Sequence, residues 1–452
     1  MYSLSSEINF KNYFINFLFL IIPISFIAGN LIINLNIILF IISSIVLFDK
    51  NIFKIKIYIL DKIVLITFFY ILINGLINQF YSIDANPQDY TILIKTLLFT
   101  RYLFFYFIIR CLVDKKIINF KYFFLSCSFC SVFVCLDLIY QLNFGKDIFG
   151  YEVINARRLS GPFGNEGIAG SYLQRFSIFT FFLIPLFFKF NNKKFFYLIF
   201  LFLFLLIGFS IIISGNRMPL VLYGFTIIMM LIFEEKTRKF IFHFLVLSLF
   251  IIFFSYNFNT NVKRNFNDFG LKIKEIVTFF SNLNPNKREI NIDNLEHVND
   301  SILYYVKVGD KEIPITNVYI KEFNAGYQTW LYKKYFGGGI KSFKTNCAKT
   351  QTRNCGPHPH NYYLEILAEL GLVGFLCFFS VFTIIIYQSL IKKYFMKNEL
   401  NSNFLITPFI FIFLAEIFPI KSTGSFFTTN NATFIFLLLA VIAALSKDKN
   451  FN

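Results

Sequence analysis

The side chains best suited to chemistry in this sequence stand at the ends of apolar stretches. His358, His360 and Asn361 precede one such stretch, and Glu365 and Glu369 lie inside it. Those last two share a helix face with Asn361, because positions four apart stack on one side of a helix. Arg157, Arg158 and Glu166 precede another stretch, with Arg175 roughly two turns inside it. Arg217 closes a short break after Ser214, Gly215 and Asn216, and Lys421 follows the penultimate apolar run. An imidazole titrates near neutrality and serves as a proton acceptor. A guanidinium grips an oxyanion through two parallel hydrogen bonds, as an ammonium cannot. Ionisable groups at membrane depth cost several kcal/mol unless paired or hydrated, and their default explanation is a functional cavity. The bland alternatives are interfacial arginines at 157 and 158, an ion pair of Arg175 with Glu166 or Glu369, and carboxylates at 365 and 369 that pair with arginines for packing. Lys95 and Arg101 are expected to snorkel, and Asp137 and Glu416 to hydrogen-bond between helices.

The elements that must position these residues follow from composition. Of 452 residues, 56% are apolar, 67 are Phe and 15% are charged, and the mean hydropathy is +0.61. At about 20 apolar residues per bilayer crossing, this is an all-α polytopic membrane protein. The apolar stretches fall near 13–29, 31–48, 63–79, 96–113, 122–140, 168–188, 195–213, 218–233, 239–256, 361–390, 404–418 and 432–446, giving about 12 transmembrane helices. The net charge of +17 would suggest nucleic acid for a soluble chain. Here most of the basic residues sit in short loops between apolar runs, so nucleic acid is not an expected partner. Lys50, Lys54, Lys56 and Lys62 fill one loop and Lys115, Lys116 and Lys121 another, whereas 81–94 has neither Lys nor Arg. The positive-inside rule then puts both termini in the cytoplasm and the long connection 257–357 on the far side. The first apolar stretch reads as a retained helix, since no small-residue cleavage site follows it.

Three regions result: helices 1–9 in 1–256, a periplasmic loop subdomain in 257–357, and helices 10–12 in 358–452. Within the loop, 301–308 and 312–318 carry β-branched residues and are expected to pair as a hairpin. The stretch 320–336 reads as an amphipathic helix at the membrane surface, stopped by Gly337, Gly338 and Gly339. Cys111, Cys127, Cys130, Cys135 and Cys377 fall inside apolar runs as small fillers. Cys347 and Cys355 lie in the loop, where an oxidising compartment would let them form a disulfide. The alternatives are two free thiols, or a zinc site with His358 and His360, although the spacing matches no familiar zinc module.

The most specific pattern is Pro357 to Gly374, PHPHNYYLEILAELGLVG, which reads H-N-x9-G-x-x-G from His360 and Asn361 to Gly371 and Gly374. In this the chain resembles the O-antigen ligase and O-antigen polymerase superfamily. The stretches 157–175, 214–217, 337–343 and 418–427 resemble the same family, so the likeness runs over roughly 150–440. One departure is that 324–330, AsnAlaGlyTyrGlnThrTrp, lacks the arginine that family ligases carry before an aromatic such as Trp330. Arg264, Arg288 and Arg353 are the loop arginines that could substitute, with Arg158 and Arg175 as further phosphate contacts.

The resemblance implies a GT-C-like glycosyltransferase of the inner membrane that takes a glycan from undecaprenyl pyrophosphate and moves it to an acceptor such as lipid A core at the periplasmic face. It implies His360 as the base, and Arg217, Arg158, Arg175 and Lys421 around the diphosphate, with Glu166, Asn361, Glu365, Glu369 and His358 supporting. A diphosphate leaves without a strong general acid, so no paired-carboxylate arrangement is required. Displacement from the opposite face inverts the anomeric centre. No cofactor or metal is expected, as no D-x-D occurs in an outer loop. The competing readings are a polymerase that extends the lipid-linked glycan, a protein O-glycosyltransferase of the same superfamily, and a transporter or lipid flippase. The last would usually show related halves, and the first half has no counterpart of the histidine segment.

Overall fold

The computed structural model describes residues 10–48, 50–80, 90–153, 158–187, 193–258, scattered positions between 260 and 274, and 304–308, 311–315, 317–350, 355–396, 404–422 and 424–446. Each apolar stretch forms helix. In chain order these are α1 (Phe10–Ala28), α2 (Asn30–Leu47), α3 (Ile59–Phe80), α4 (Thr91–Phe99), α5 (Arg101–Asp114), α6 (Phe120–Phe144), α7 (Ala169–Phe187), α8 (Lys193–Ile213), α9 (Arg217–Phe233) and α10 (Glu235–Phe258). A hairpin of β1 (Tyr304–Val308) and β2 (Lys311–Ile315) follows, paired antiparallel with Val306 opposite Ile313. Then come α11 (Val318–Tyr332), α12 (Phe343–Lys349), α13 (Tyr362–Ile386), α14 (Thr407–Glu416) and α15 (Thr429–Leu445). The stretch expected as one crossing at 96–113 forms one apolar helical segment, 91–114, in which α4 and α5 meet at Thr100, itself in right-handed helical conformation.

Two late helices lie at the centre of the bundle. On α15 every residue from Asn431 to Ala444 is buried, and on α14 all but one residue is. Phe rings lock this centre to its neighbours: Phe179 on α7 lies 5.1 Å from Phe123 on α6 and 5.0 Å from Phe409 on α14, and Phe176 lies 5.2 Å from Phe434 on α15. The outer helices do the reverse. Leu35, Leu39, Ile42 and Val46 on α2, Phe129 on α6 and Phe250, Phe253 and Phe254 on α10 are all exposed. A contiguous apolar exterior of this kind needs lipid rather than water. Among the described residues six helical segments are long and apolar enough to cross a membrane: 10–28, 30–47, 59–80, 91–114, 120–144 and 362–394. The apolar helices at 198–213, 217–233, 407–416 and 429–445 are shorter. This is the fold of a multi-pass α-helical membrane protein.

Two of the late segments pack in ways that the sequence left open. The helix read as lying on a membrane surface is α11, and its inner face of Ile320, Glu322, Ala325, Gly326 and Thr329 is buried. Ala325 joins Phe343, Cys347 and Ala368 in a small core between α11, α12 and α13. The tenth apolar stretch is also not one uninterrupted helix, because Gly371 breaks α13 with φ 69° and ψ −172°.

Candidate active site

The start of α13 is set by Asn361, whose Oδ1 accepts from the backbone N–H groups of Tyr363 at 3.0 Å and Leu364 at 3.1 Å. This is the ordinary asparagine N-cap, which satisfies two amides that the helix leaves open. Asn361 Nδ2 donates to the Pro419 carbonyl at 2.7 Å, and the Tyr363 hydroxyl donates to the Ile417 carbonyl. The cap is therefore tied to the connection between α14 and α15. His360, immediately before it, has φ 54°. A left-handed histidine is uncommon and marks a backbone held by its surroundings. The His358 and His360 rings lie 4.3 Å apart, both half-buried. Burial pushes the His358 imidazole down to about 4, with His360 and Lys341 adding to the effect. Burial also lowers His360, while the negative charge of Glu322 opposes it. At neutral pH both rings are therefore uncharged, and His360 offers a ring nitrogen that can take a proton.

A disulfide fixes the approach to this turn. Cys347 on α12 and Cys355 are bonded, with Cα atoms 5.8 Å apart, so the chain is anchored three residues before His358. Sulfurs engaged with each other are not ligands for zinc, which removes the alternative site with His358 and His360.

The break at Gly371 is matched by a second left-handed glycine, Gly337 at φ 70°. A Cβ on Gly371 would run into the Tyr335 carbonyl, and one on Gly337 into the Glu369 carbonyl. The two backbones thus touch where only hydrogen fits. The amides freed by the break find partners there: Leu372 N donates to the Lys334 carbonyl at 2.9 Å and Val373 N to that of Tyr335 at 3.1 Å. In return Gly339 N donates to the Glu369 carbonyl at 2.7 Å. This contact carries Lys341 onto the two carboxylates of α13. Its backbone N donates to Glu369 Oε2 at 2.7 Å, and its Nζ donates to Ser425 Oγ at 2.7 Å and lies 4.0 Å from Glu365 Oε1. Glu365 also accepts from Ser425 Oγ at 2.5 Å and Phe426 N at 2.6 Å. Among the described residues the carboxylates therefore engage Lys341, Ser425 and backbone, not Arg158 or Arg175.

Arg175 and Lys421 meet on one carboxylate, Glu416. Lys421 Nζ is 2.5 Å from Glu416 Oε2 and 3.2 Å from the Tyr362 hydroxyl. Arg175 also donates to Asn430 at 2.7 Å and Asn431 at 2.6 Å. The ion pair allowed for Arg175 thus exists, but with Glu416 in place of Glu166 or Glu369. Burial lowers the Lys421 ammonium to about 8 against the opposing pull of Glu416. Two cations and one anion leave this frame with one net positive charge directly beneath Tyr362, two residues from His360.

The remaining basic residues gather at the start of α7. The Arg158 side chain lies against Gly167, its Cδ 3.6 Å from the position a Cβ would take there, and Ser214 and Asn216 press on Gly170. Arg158 and Glu166 are exposed. Arg217 is the first, half-buried residue of α9, directly after the Asn216 cap position. Of the loop arginines, Arg264 is exposed in a helical turn beyond α10, and Arg157, Arg288 and Arg353 lie outside the described residues. Within 324–330, Gly326 lies against Pro359 and Leu364, so α11 packs directly on the histidine turn.

Sequence reasoning passed over Lys341, Ser425 and Glu322. The signal for Lys341 was there, since it closely follows the triple glycine, whereas Ser425 lies in the polar stretch 421–425, which singles out no one residue.

The geometry is joined by one comparison. The family model described as O-Antigen ligase matches residues 201–379. The matched segment is less than half of the chain. The match runs from within α8 to within α13 and is that of a glycosyltransferase-like family of the O-antigen ligase and polymerase class; it is narrower than the 150–440 over which the sequence resembles the family. The matched segment includes Arg217, Glu322, Lys341, the disulfide, the histidine turn and Gly371. Arg158, Glu166, Arg175, Glu416 and Lys421 lie outside it. No curated protein matches the chain in sequence.

Proposed function

We propose that the protein transfers a polysaccharide from undecaprenyl pyrophosphate to an acceptor such as lipid A core, at the periplasmic face of the inner membrane. The observation that carries this reading is the His358–His360 turn: a neutral, half-buried imidazole held at positive φ directly before a capped helix, inside the matched family segment. In the proposed step the acceptor hydroxyl gives its proton to His360. Its oxygen forms a bond to the anomeric carbon from the face opposite the diphosphate, and the glycosidic electron pair leaves on the phosphate oxygen. Charge grows on the diphosphate as the bond breaks, and fixed guanidinium groups stabilise it most at that moment. Arg217 is the first such group and Arg158 the second. Arg175 and Lys421 add the residual positive charge of the Glu416 frame, while Asn361, Glu365 and Glu369 hold the turn and Glu166 lies at the entrance to α7. The basic loops support about 12 crossings, cytoplasmic termini and an outward-facing site.

The test is the glycan profile of a deletion strain complemented with wild type or His360→Ala, with lipid-A-linked and undecaprenyl-linked polysaccharide separated and sized. Long chains that accumulate on the lipid carrier and vanish from lipid A are the expected result. Single repeat units alone in both pools would make the chain a polymerase, and unchanged pools would overturn the transfer reading.

A further inference from the structure

The histidine turn rests on an acid that the proposed chemistry has not used. Glu322, one turn into α11, is 6% exposed. Its carboxylate lies on the backbone at Gly356, with Oε2 2.9 Å and Oε1 3.4 Å from the position a Cβ would occupy. One turn further along α11, Gly326 lies against Pro359. The helix thus runs under the whole segment that ends in His360. Glu322 Oε1 is 3.5 Å from Lys321 Nζ, whereas Oε2 has no hydrogen-bond partner among the described residues. A buried carboxylate oxygen without a donor is costly, and such a group calls for an explanation. Glu322 is also the charged group whose field reaches His360.

We propose that Glu322 is a positioning residue for His360, a buried anion behind the histidine turn that stabilises the imidazolium formed when His360 takes the acceptor's proton. This rests on the reading of His360 as the base. The step balances as follows: the acceptor O–H breaks, its proton passes to the imidazole nitrogen, the new O–C bond forms at the anomeric carbon, and the leaving diphosphate takes the electron pair. Glu322 makes no direct hydrogen bond to His360 among the described residues, so its influence is that of a charge in a poorly hydrated site, where such a charge is worth far more than in water. The other groups that face this pair are His358 on the same turn, Lys321 beside Glu322, and Lys341, whose positive charge acts on His358.

The experiment is the pH–rate profile of transfer by the purified full-length protein, wild type against Glu322→Gln and Glu322→Asp, with lipid-linked donor and acceptor. Gln keeps the shape and removes the charge. The expected result for Glu322→Gln is a kcat reduced at least tenfold with the donor KM unchanged, and an acid limb moved to lower pH. A tenfold fall in proton affinity corresponds to a shift of about one pH unit. Glu322→Asp should restore much of the rate and return the limb toward its wild-type position. A wild-type profile for Glu322→Gln overturns the proposal. So does a loss of rate with no displacement of the limb, since a purely structural role would produce that. His360→Ala separates the two levels. If it retains transfer, the base assignment itself fails; if it abolishes transfer while Glu322→Gln is silent, only the role of Glu322 fails. In the His360→Ala background any residual rate should not respond to Glu322→Gln, because groups that act as a unit are not additive.

Discussion

Arg175 on α7 donates to both oxygens of Glu416 on α14, from Nε at 2.9 Å and from Nη2 at 3.0 Å. Both side chains are buried, and Lys421 shares the same carboxylate. Removal of one partner from a buried pair leaves an uncompensated charge and costs roughly 3–5 kcal/mol. Glu416→Ala should therefore strand two cations and lower the thermal midpoint of the detergent-solubilised protein. Arg175→Lys should also destabilise, because an ammonium cannot bridge both oxygens. Wild-type melting of Glu416→Ala would show that the frame is not what holds α7 to α14.

Arg217 is expected to behave differently from Arg175. It sits half-buried at the head of α9, and in the proposed step it holds the leaving diphosphate. Arg217→Ala and His360→Ala should each reduce transfer by roughly a hundredfold or more, the scale on which a positioned base or charge-stabilising group acts. Both should insert in the membrane and melt like the wild type. Activity and melting of Arg175→Ala and Arg217→Ala measured side by side distinguish the roles. Near-normal product from both Arg217→Ala and His360→Ala would exclude this site.

Much of the fold was legible in the sequence because a bilayer permits so few solutions. Runs of apolar residues bounded by lysines have to be helices, and each of them is. That Asn361 opens a helix was legible too, but its capping bonds to Tyr363 and Leu364 were not read from the sequence. Partners remote in sequence were not. Glu416 lies 241 residues from Arg175, and no spacing rule links them, so Glu166 and Glu369 looked equally good. Glu322 was passed over because an acid on an amphipathic helix normally faces water, and only the packing of α11 under the histidine turn buries it. The break in α13 was hidden for a similar reason. A glycine inside a helix is usually tolerated, and the sequence does not reveal that the 335–337 backbone lies against Gly371.

The two histidines make stability depend on pH. Burial lowers both imidazoles in the folded protein, His358 to about 4, below the value of about 6.5 expected in the unfolded chain. The unfolded state then binds more protons between those limits, and stability rises with pH across that window. The contribution is fully present above about pH 6.5 and is lost as the pH falls through the folded values. The thermal midpoint should therefore drop on acidification from pH 7 to 4.5, and His358→Gln should flatten part of that drop. A slope identical in the variant would place the acid sensitivity elsewhere.

The disulfide ties α12 to the chain three residues before His358. It closes a short loop, with a sequence separation of 8, so its effect on global stability should be at most about 3 kcal/mol in the loop-entropy account. Its local effect should be larger. Cys347→Ser with Cys355→Ser is expected to leave the protein folded while slowing transfer several-fold, because the turn that carries His360 loses an anchor. Reductant added to the wild type should reproduce the same loss. Unchanged rates in both preparations would show that the packing of Ala325, Phe343 and Ala368 holds the turn without the bond.

Gly371 offers the sharpest test of how the site is assembled. Its left-handed φ of 69° turns α13 so that Leu372 N and Val373 N reach the carbonyls of Lys334 and Tyr335, and this contact presents Lys341 to Glu369. Alanine there meets two obstacles together, a backbone conformation costly for any residue with a Cβ and a collision with the Tyr335 carbonyl. The helix would be expected to straighten and pull Gly337–Lys341 away from α13. Gly371→Ala should therefore abolish transfer while the bundle of α6, α7, α14 and α15 remains folded. Protease sensitivity of the 333–350 segment should rise in the variant with little change in total helix content by circular dichroism. Full activity in Gly371→Ala would mean that the contact between the triple-glycine turn and α13 does not build the site.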